Sequence, residues 1–227
     1  MKKTNTKVSS QTKSQKEQKI TITELPFWVA GLIFLATTLI FFGEQLFGSA
    51  YFWEDFVRYV YPTQAFAARE VLSGPLPFWN PYTFGGMPFI ADIAVGFFYP
   101  LNRLLSLFVS GDGYLSFSAL QIYIILHFLI AQISIFFLLR HWKISSIGSI
   151  ISSIGYAFSL LLVVRVIHPM IVEHFAWFPL VILFYLKGLE KKNLKYSIIS
   201  GLILGLSMLA GHPQISLYEG LFLAFFF

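Results

Sequence analysis

Residues 117–139 read FSALQIYIILHFLIAQISIFFLL and contain no charged side chain. At about 1.5 Å per residue, a helix of this length is about 35 Å long and crosses the hydrocarbon layer of a bilayer, which is about 30 Å thick. Inside lipid, a helix satisfies its own backbone hydrogen bonds without neighbouring strands. The run therefore predicts a transmembrane helix in an all-α integral membrane protein.

Apolar runs of the same kind recur on both sides of this stretch. The first lies at 26–43, where Pro26 suits the first turn of a helix. About six transmembrane helices are therefore expected. The final run ends about 13 residues after Gln214, too soon to cross a bilayer unaided, which predicts a chain truncated from a longer protein. The remaining runs lie at 144–164, 170–186, 196–210 and 215–227.

The composition agrees with membrane burial and excludes several kinds of chemistry. Apolar residues make up 56% of the chain and charged residues 12%, and the mean hydropathy of +0.71 is too high for a soluble domain. The chain has no Cys, which excludes disulfides, thiolate metal sites and cysteine nucleophiles. The net charge of +5 is explained by membrane sidedness, so no nucleic-acid partner is expected.

The basic residues predict which side of the membrane each polar segment faces. The tail 1–20 and the breaks at 140–143 and 187–195 hold all 11 Lys together with Arg140, which is 12 of the 16 basic residues. Because cytoplasmic segments are enriched in Lys and Arg, the N-terminus is expected in the cytoplasm. The tail has no aromatic residue and is expected to be disordered, which leaves 21–227 as the multi-span membrane domain.

One large polar region, the 44–115 loop, separates the first and second predicted spans and faces outward on this map. It holds two Trp and six Tyr, so it is not a flexible spacer. Within it, 62–73 predicts a short helix between a Pro and a Gly. The stretch 74–89 predicts turns, and 100–109 predicts a short interfacial helix whose Arg103 extends to water.

Several segments of the sequence carry a resemblance to a known family. Residues 74–89 read GPLPFWNPYTFGGMPF, 98–104 read FYPLNRL and 211–214 read GHPQ, while Asp55 precedes a Tyr-Pro pair by six residues. These segments resemble the YfhO-like family of bacterial multi-span membrane proteins. The resemblance covers roughly 26–227 and corresponds to the N-terminal part of the longer family members. Its pairing of WNP and GGMP with YPLN is fairly specific.

The resemblance implies a GT-C type membrane glycosyltransferase. Such an enzyme moves a sugar from a polyprenyl-phosphate carrier to a cell-envelope acceptor at the outer face, such as a teichoic acid or a glycolipid. The implied partners are the lipid-linked donor, the acceptor and the membrane lipids. The implied location is the bacterial cell membrane, with the 44–115 loop extracellular. The cofactor stays open, since a divalent metal is compatible with the chemistry but no metal-ligand spacing indicates one.

Asp55 is the candidate catalytic base of this transfer, which needs a carboxylate that takes the acceptor proton. Adjacent residues point in different directions, so at most one of Glu54 and Asp55 faces a site, and the family position selects Asp55. Without the resemblance, a solvated acidic pair that also balances Arg58 is the simpler interpretation.

A second cluster lies where the third and fourth predicted spans meet on the outer side. It holds Arg165, His168, Glu173 and His174, and ionisable residues at membrane depth are costly unless they have a partner or a function. Glu173 is the candidate second catalytic acid in a cleft shared with Asp55. Arg165 and His168 are candidates for binding the carrier phosphate. A structural Arg165–Glu173 ion pair is the competing interpretation.

Four more residues are candidate substrate contacts. Arg58 is a candidate for phosphate, and simple pairing with a nearby acid is its alternative. His212 lies in the GHPQ turn, where a capped helix end with an exposed His is the alternative. Trp79 is a candidate for stacking on a sugar, with Asn80 beside it in the same motif, and an interfacial aromatic anchor is the alternative.

The rival function is a non-catalytic membrane protein, either a transporter or an assembly subunit, and an inactive remnant is a third possibility. A transporter is expected to place charges and helix breaks near the middle of its spans. Here 8 of the 11 acidic residues fall on or near the outer face, which favours surface chemistry. These eight are Glu44, Glu54, Asp55, Glu70, Asp92, Asp112, Glu173 and Glu219.

Overall fold

The computed structural model of the protein describes residues 24–48, 50–74 and 76–226. The predicted tail 1–20 lies outside these residues. The described chain is mostly α-helical with little sheet. By length and composition, three of its helical stretches are able to cross a membrane, as expected of an α-helical membrane protein. They are Phe117–His141, Ser146–Ile167 and Pro169–Lys191.

The described residues contain ten α-helices, one short hairpin and several short 3-10 turns. A π-helical turn, Phe56–Val60, leads into the third helix. The hairpin pairs strand β1 (Trp79–Asn80) with β2 (Met87–Pro88) in antiparallel orientation. In chain order the helices are α1 (Phe27–Phe41), α2 (Gly43–Phe47), α3 (Tyr61–Ser73), α4 (Pro100–Arg103), α5 (Phe117–His141), α6 (Ser146–Ala157), α7 (Leu160–Val164), α8 (Pro169–Lys191), α9 (Leu194–Met208) and α10 (Pro213–Phe226).

Helix α5 lies at the centre of the bundle, where it packs against α1, α6 and α8, while α8 packs along α9. One face of α5 is buried, because Leu120, Ile124, Phe128 and Ala131 are at most 1% exposed. Their spacing of three to four residues places them on one side of the helix. Helix α5 therefore supplies the surface on which the neighbouring helices and the 44–115 loop pack.

Each of the six predicted apolar runs contains a helix, but only some of these helices are long. The run at 144–164 is interrupted, because α6 ends at Ala157 and α7 begins at Leu160. Helices α1 and α9 are apolar but have 15 residues each. The α-helical character is confirmed, whereas the number of spans stays a prediction.

The 44–115 loop folds onto the helices. Phe52, Phe56, Tyr99 and Leu115 are at most 5% exposed, and they share a core cluster with Leu120 of α5. Burial of so many large side chains agrees with the prediction that this loop is not a spacer. Apolar burial therefore fixes the loop at one end of α5.

The helices and turns observed in the loop largely match those predicted from the sequence. Helix α3 covers the predicted 62–73 and ends at Ser73. The next residue is Gly74, whose φ of 93° favours glycine. Within the predicted 74–89 stretch, residues 76–89 consist mostly of turns around the short hairpin. The predicted helix at 100–109 is α4 followed by the 3-10 turn Leu104–Phe108.

Arg103 does not extend to water as predicted. Its guanidinium carbon lies 3.8 Å from the centroid of the Phe97 ring. All three guanidinium nitrogens are buried and have no hydrogen-bond partner among the described residues. Burial lowers the pKa of Arg103 to about 10. The prediction was wrong because the loop folds onto the bundle and covers a side chain that a flat interfacial helix would leave free.

Candidate functional site

Asp55 and His168 lie 113 residues apart in the sequence and meet beside the start of α8. The Nε2 atom of His168 is 2.8 Å from Oδ2 of Asp55. The Asp55 side chain is 51% exposed and that of His168 is 28% exposed. The structure thus joins the predicted base to one predicted phosphate ligand and leaves half of the carboxylate open.

Buried neighbours hold this pair in place. Phe56, which follows Asp55, is fully buried. The backbone N–H of Phe52 donates to Oε1 of Gln121 on α5 at 3.0 Å. On the other partner, the backbone N–H of His168 donates to the carbonyl of Arg165 at 2.7 Å, directly before α8 begins. Both side chains therefore project from short turns whose flanks are fixed by the core.

Glu54, the neighbour of Asp55, has a left-handed backbone with φ of 53°. This conformation costs a non-glycine residue about 1–2 kcal/mol. The Glu54 carboxylate lies 3.4 Å from the guanidinium of Arg58, so the two adjacent acids have different partners, as expected. Strained backbone of this kind clusters at functional sites.

Glu173 is in a different environment from Asp55. It is 2% exposed, and its Oε1 accepts a hydrogen bond of 2.7 Å from the Tyr123 hydroxyl. The predicted outer cleft shared by both carboxylates is not what the structure shows, because Glu173 faces the interior between α5 and α8. The Arg165–Glu173 ion pair also does not form, and Arg165 is exposed.

A chain of buried hydrogen bonds lies close to Glu173. The indole N–H of Trp177 donates to the Tyr99 hydroxyl at 2.7 Å, and that hydroxyl lies 2.9 Å from Nε2 of His127. The other ring nitrogen of His127 lies 2.9 Å from the carbonyl of Tyr123. The carbonyl can only accept, so Nδ1 of His127 carries the proton and Nε2 accepts from Tyr99.

Sequence reasoning missed Tyr99, Tyr123 and Trp177 as polar anchors. Tyr99 belongs to the YPLN segment, which the sequence singled out only as a motif. The signal that was available is the presence of Tyr and Trp inside apolar runs, since their polar atoms need partners when buried. The same segment contains Asn102, whose amide donates to the carbonyl of Gly96 at 3.0 Å and so shapes the preceding turn.

A cavity of about 540 Å³ opens in the 44–115 loop beside α3. Its size suits a small ligand, since such sites span about 300–1,000 Å³. The Tyr59 hydroxyl in its wall donates to Oδ2 of Asp92 at 3.3 Å. Burial and the Asp92 carboxylate raise the pKa of Tyr59 to about 12, so the phenol stays a donor at neutral pH. Arg58, Arg69, Thr63, Asn80, Tyr82 and Tyr114 also line the cavity.

The remaining candidates are spread around this region. Arg58 has a 77% exposed side chain and lines the large cavity. Asn80 is buried, and its side chain accepts from the N–H of Tyr82 at 2.9 Å, which shapes the hairpin turn. Trp79 covers Gly86 of the same turn while remaining 56% exposed. The ring centroid of His212 lies 6.5 Å from that of His174.

The described residues contain no group of three or more His, Asp and Glu side chains that is close enough to hold a metal ion. Asp55, His168 and Glu173 do not form such a group.

Fold and site together define an α-helical membrane protein with an Asp–His pair and a polar, aromatic cavity at one end of its bundle. No protein-family model, no curated protein and no solved structure matches the chain.

Proposed function

We propose that this chain is a membrane glycosyltransferase of GT-C type, or the N-terminal part of one, in which Asp55 is the catalytic base. Its donor is a sugar on polyprenyl phosphate, and its acceptor is a cell-envelope polymer or glycolipid such as a teichoic acid. The observation that carries the proposal is the contact of 2.8 Å between His168 and the half-exposed Asp55. The resemblance to the YfhO-like family supports the choice of reaction.

The proposed reaction transfers one sugar from phosphate to a hydroxyl. The acceptor oxygen attacks the anomeric carbon while the bond from that carbon to the phosphate oxygen breaks, and the electron pair leaves with the phosphate. The acceptor proton passes to the free oxygen of Asp55. His168 holds the other oxygen and fixes the direction of the carboxylate, as an orienting partner does for a general base.

Arg side chains in the large cavity and shortly before His168 in the chain suit an anionic substrate. Arg58 pairs with Glu54 and Arg69 with Glu70, and both arginines line the large cavity. Arg165 is exposed three residues before His168. Guanidinium groups are suited to phosphate because their fixed N–H groups match its oxygens. A departing phosphate beside these residues gains electrostatic stabilisation.

A transporter is the second candidate, because one helical stretch is broken. Between α6 and α7, Phe158 and Ser159 interrupt a segment of 22 residues that is long enough to cross a membrane. Discontinuous helices are typical of transporter binding sites. The half-exposed Asp55 at a bundle end favours transfer chemistry over passage through the bundle.

The proposed topology has six spans, a cytoplasmic N-terminus and an extracellular 44–115 loop. Gly111→Cys and Lys191→Cys in this Cys-free chain test it, because both positions are exposed and neither caps a helix. An impermeant thiol reagent added to intact cells is expected to label the first and not the second. Equal labelling of both would reject the topology.

The catalytic proposal is tested by Asp55→Asn, with Glu54→Gln as the matched neighbouring variant. Sugar transfer is measured in membranes that carry the protein, with a polyprenyl-phosphate sugar as donor. We expect Asp55→Asn to lower the rate about 10²–10⁴-fold, as loss of a general base does, and Glu54→Gln to keep it within a few-fold. Normal transfer by Asp55→Asn would remove Asp55 from the mechanism.

A further inference from the structure

The large cavity of about 540 Å³ is formed by the 44–115 loop alone. Every residue in its wall lies between Arg58 and Tyr114, and no wall residue belongs to α1 or to any helix from α5 to α10. An isoprenoid chain is stable against apolar helices or in the lipid around them, and none of these helices borders the cavity. The cavity is therefore suited to a ligand that arrives from water.

Three separate parts of the loop hold Arg69 in the wall of this cavity. Its guanidinium carbon lies 5.7 Å from the centroid of the Phe66 ring in α3 and 5.6 Å from that of the Tyr82 ring in the hairpin turn. Its Cδ atom passes Gly113, where an added Cβ would lie 3.6 Å from it. These contacts restrict the side chain, which reduces the conformational entropy lost when Arg69 binds a ligand.

The guanidinium of Arg69 has unused donors. Its contact with Glu70 joins Nε to Oε1 at 3.7 Å, which is too long for a hydrogen bond. Both terminal nitrogens are without a hydrogen-bond partner in the part of the chain that the structure describes. These two nitrogens form the planar fork that binds two oxygens of one anion.

The rest of the wall also offers donors rather than free carboxylate oxygens. Among the described wall residues Asp92 is the only acid, and both of its oxygens are occupied. Oδ1 accepts from a backbone N–H two residues on at 3.1 Å, and Oδ2 accepts from the Tyr59 hydroxyl at 3.3 Å. The hydroxyls of Thr63, Tyr82 and Tyr114 make no hydrogen bond to any described residue. Unused donors beside a satisfied carboxylate suit an anion rather than a cation.

The size and lining of the cavity favour an organic phosphate over a bare ion. Inorganic phosphate is much smaller than the ligands that cavities of this volume hold. Phe66, Tyr82 and Phe89 provide aromatic surface for the C–H groups of a ligand. A phosphate ester has three acceptor oxygens, one more than a carboxylate, so it can use the Arg69 fork and a neighbouring hydroxyl together.

We propose that the large cavity binds a water-soluble phosphate ester that carries hydroxyl groups, such as a sugar phosphate, with its phosphate on the terminal nitrogens of Arg69. Arg58 also lines the cavity but is paired with Glu54, so the phosphate is placed on Arg69. Asp55 and His168 are not in the wall, so this inference does not depend on the proposed sugar transfer.

Calorimetric titration of the purified chain in detergent tests the proposal, with glucose 1-phosphate as the probe. We expect a dissociation constant of about 1 mM or below, and binding of glucuronate that is weaker by about tenfold, because that sugar carries a carboxylate instead. Glucose carried on a prenyl phosphate tests the source of the ligand. Binding of this lipid about tenfold tighter than that of glucose 1-phosphate would overturn the inference of a water-soluble ligand.

Arg69→Gln is expected to weaken the binding of glucose 1-phosphate about 10–100-fold, because the charged fork is lost. Lys195→Gln is the matched control, since it removes one positive charge at an exposed position outside the cavity and should leave the affinity unchanged. Arg69→Lys decides the case if Arg69→Gln does not fold. It keeps the charge but has no fork, so its binding should be about tenfold weaker. No binding by the unchanged chain, or unchanged affinity in the Arg69 variants, would overturn the proposal.

Discussion

The two carboxylates that the sequence selected, Asp55 and Glu173, are found in opposite environments. The Asp55 side chain is 51% exposed and is held by one histidine, whereas Glu173 is 2% exposed and bonded to the Tyr123 hydroxyl. An exposed carboxylate with a free oxygen can meet a substrate. A buried one is bonded inside the protein instead. The same residue type near the same bundle end therefore lies in two environments that allow different roles.

The surroundings of Asp55 and Glu173 differ as their exposure does. Around Asp55 the backbone is strained at Glu54 and the side chains are partly hydrated. Around Glu173, Tyr99 and His127 belong to a chain of buried hydrogen bonds whose members are satisfied. Fully satisfied buried networks make a structure rigid, and breaking one is costly. The comparison predicts that stability depends on the buried region and activity on the exposed one.

The largest stability effect is expected from Tyr99→Phe. The lost hydroxyl leaves the half-buried Trp177 indole N–H and the buried Nε2 of His127 without this partner, at about 1–3 kcal/mol each. The unfolding temperature is therefore expected to fall by roughly 5–15 °C. Tyr114→Phe is the control, because Tyr114 is 68% exposed and its loss of a hydroxyl should change little. Equal shifts in unfolding temperature for both variants would show that the buried hydrogen bonds of Tyr99 contribute no more to stability than the exposed Tyr114 hydroxyl.

Tyr123→Phe is expected to have a smaller effect of the same kind. Only the bond to Glu173 is lost, which leaves one acceptor unsatisfied and costs about 1–3 kcal/mol. Chemical or thermal unfolding in detergent measures the change, and Tyr51→Phe, at a 58% exposed position, is the control. If Tyr123→Phe is as stable as the unchanged chain, Glu173 has another partner and the buried region is less tightly bonded than the structure indicates.

The fold was largely predictable because its signals are local. The uncharged run at 117–139 lies within the long helix α5, and the Pro and Gly that bracket 62–73 mark the ends of α3. The length of an apolar run predicts a long helix, and Pro or Gly at the ends of a segment predicts where a helix begins and ends. The interruption between α6 and α7 was not predicted, because Phe158 and Ser159 are neither charged nor Pro or Gly.

The site was predictable only in part because its contacts are long-range. Asp55 and His168 were both candidates, but the sequence analysis placed Asp55 in a cleft with Glu173. Position in the sequence does not say which way a side chain faces, and Glu173 turns into the bundle toward Tyr123. The burial of Arg103 was missed for a related reason, since it depends on how the loop folds back rather than on its own sequence.

Glu54→Gly is expected to stabilise the exposed region by about 1 kcal/mol. Glycine adopts the left-handed backbone at φ of 53° without the cost that another residue bears. The lost contact with Arg58 offsets little, because exposed ion pairs contribute about 0–1 kcal/mol. Glu54→Ala is the control, since it loses the same contact and keeps the strained backbone. Equal stability of the two variants would mean that no strain is stored beside Asp55.

The smallest stability change is expected from Asp55→Asn, the variant with the largest expected loss of activity. The bond to His168 is partly hydrated, and such pairs contribute about 0–1 kcal/mol, so the unfolding temperature should stay within a few degrees of the unchanged chain. Thermal unfolding of Asp55→Asn beside Tyr99→Phe gives the comparison directly. A fall as large as that of Tyr99→Phe would make Asp55 a structural link between the loop and α8, and any loss of sugar transfer would then follow from unfolding. A stable but inactive Asp55→Asn protein would show that activity depends on the exposed region and stability on the buried one, because the reaction is lost while the bundle stays folded.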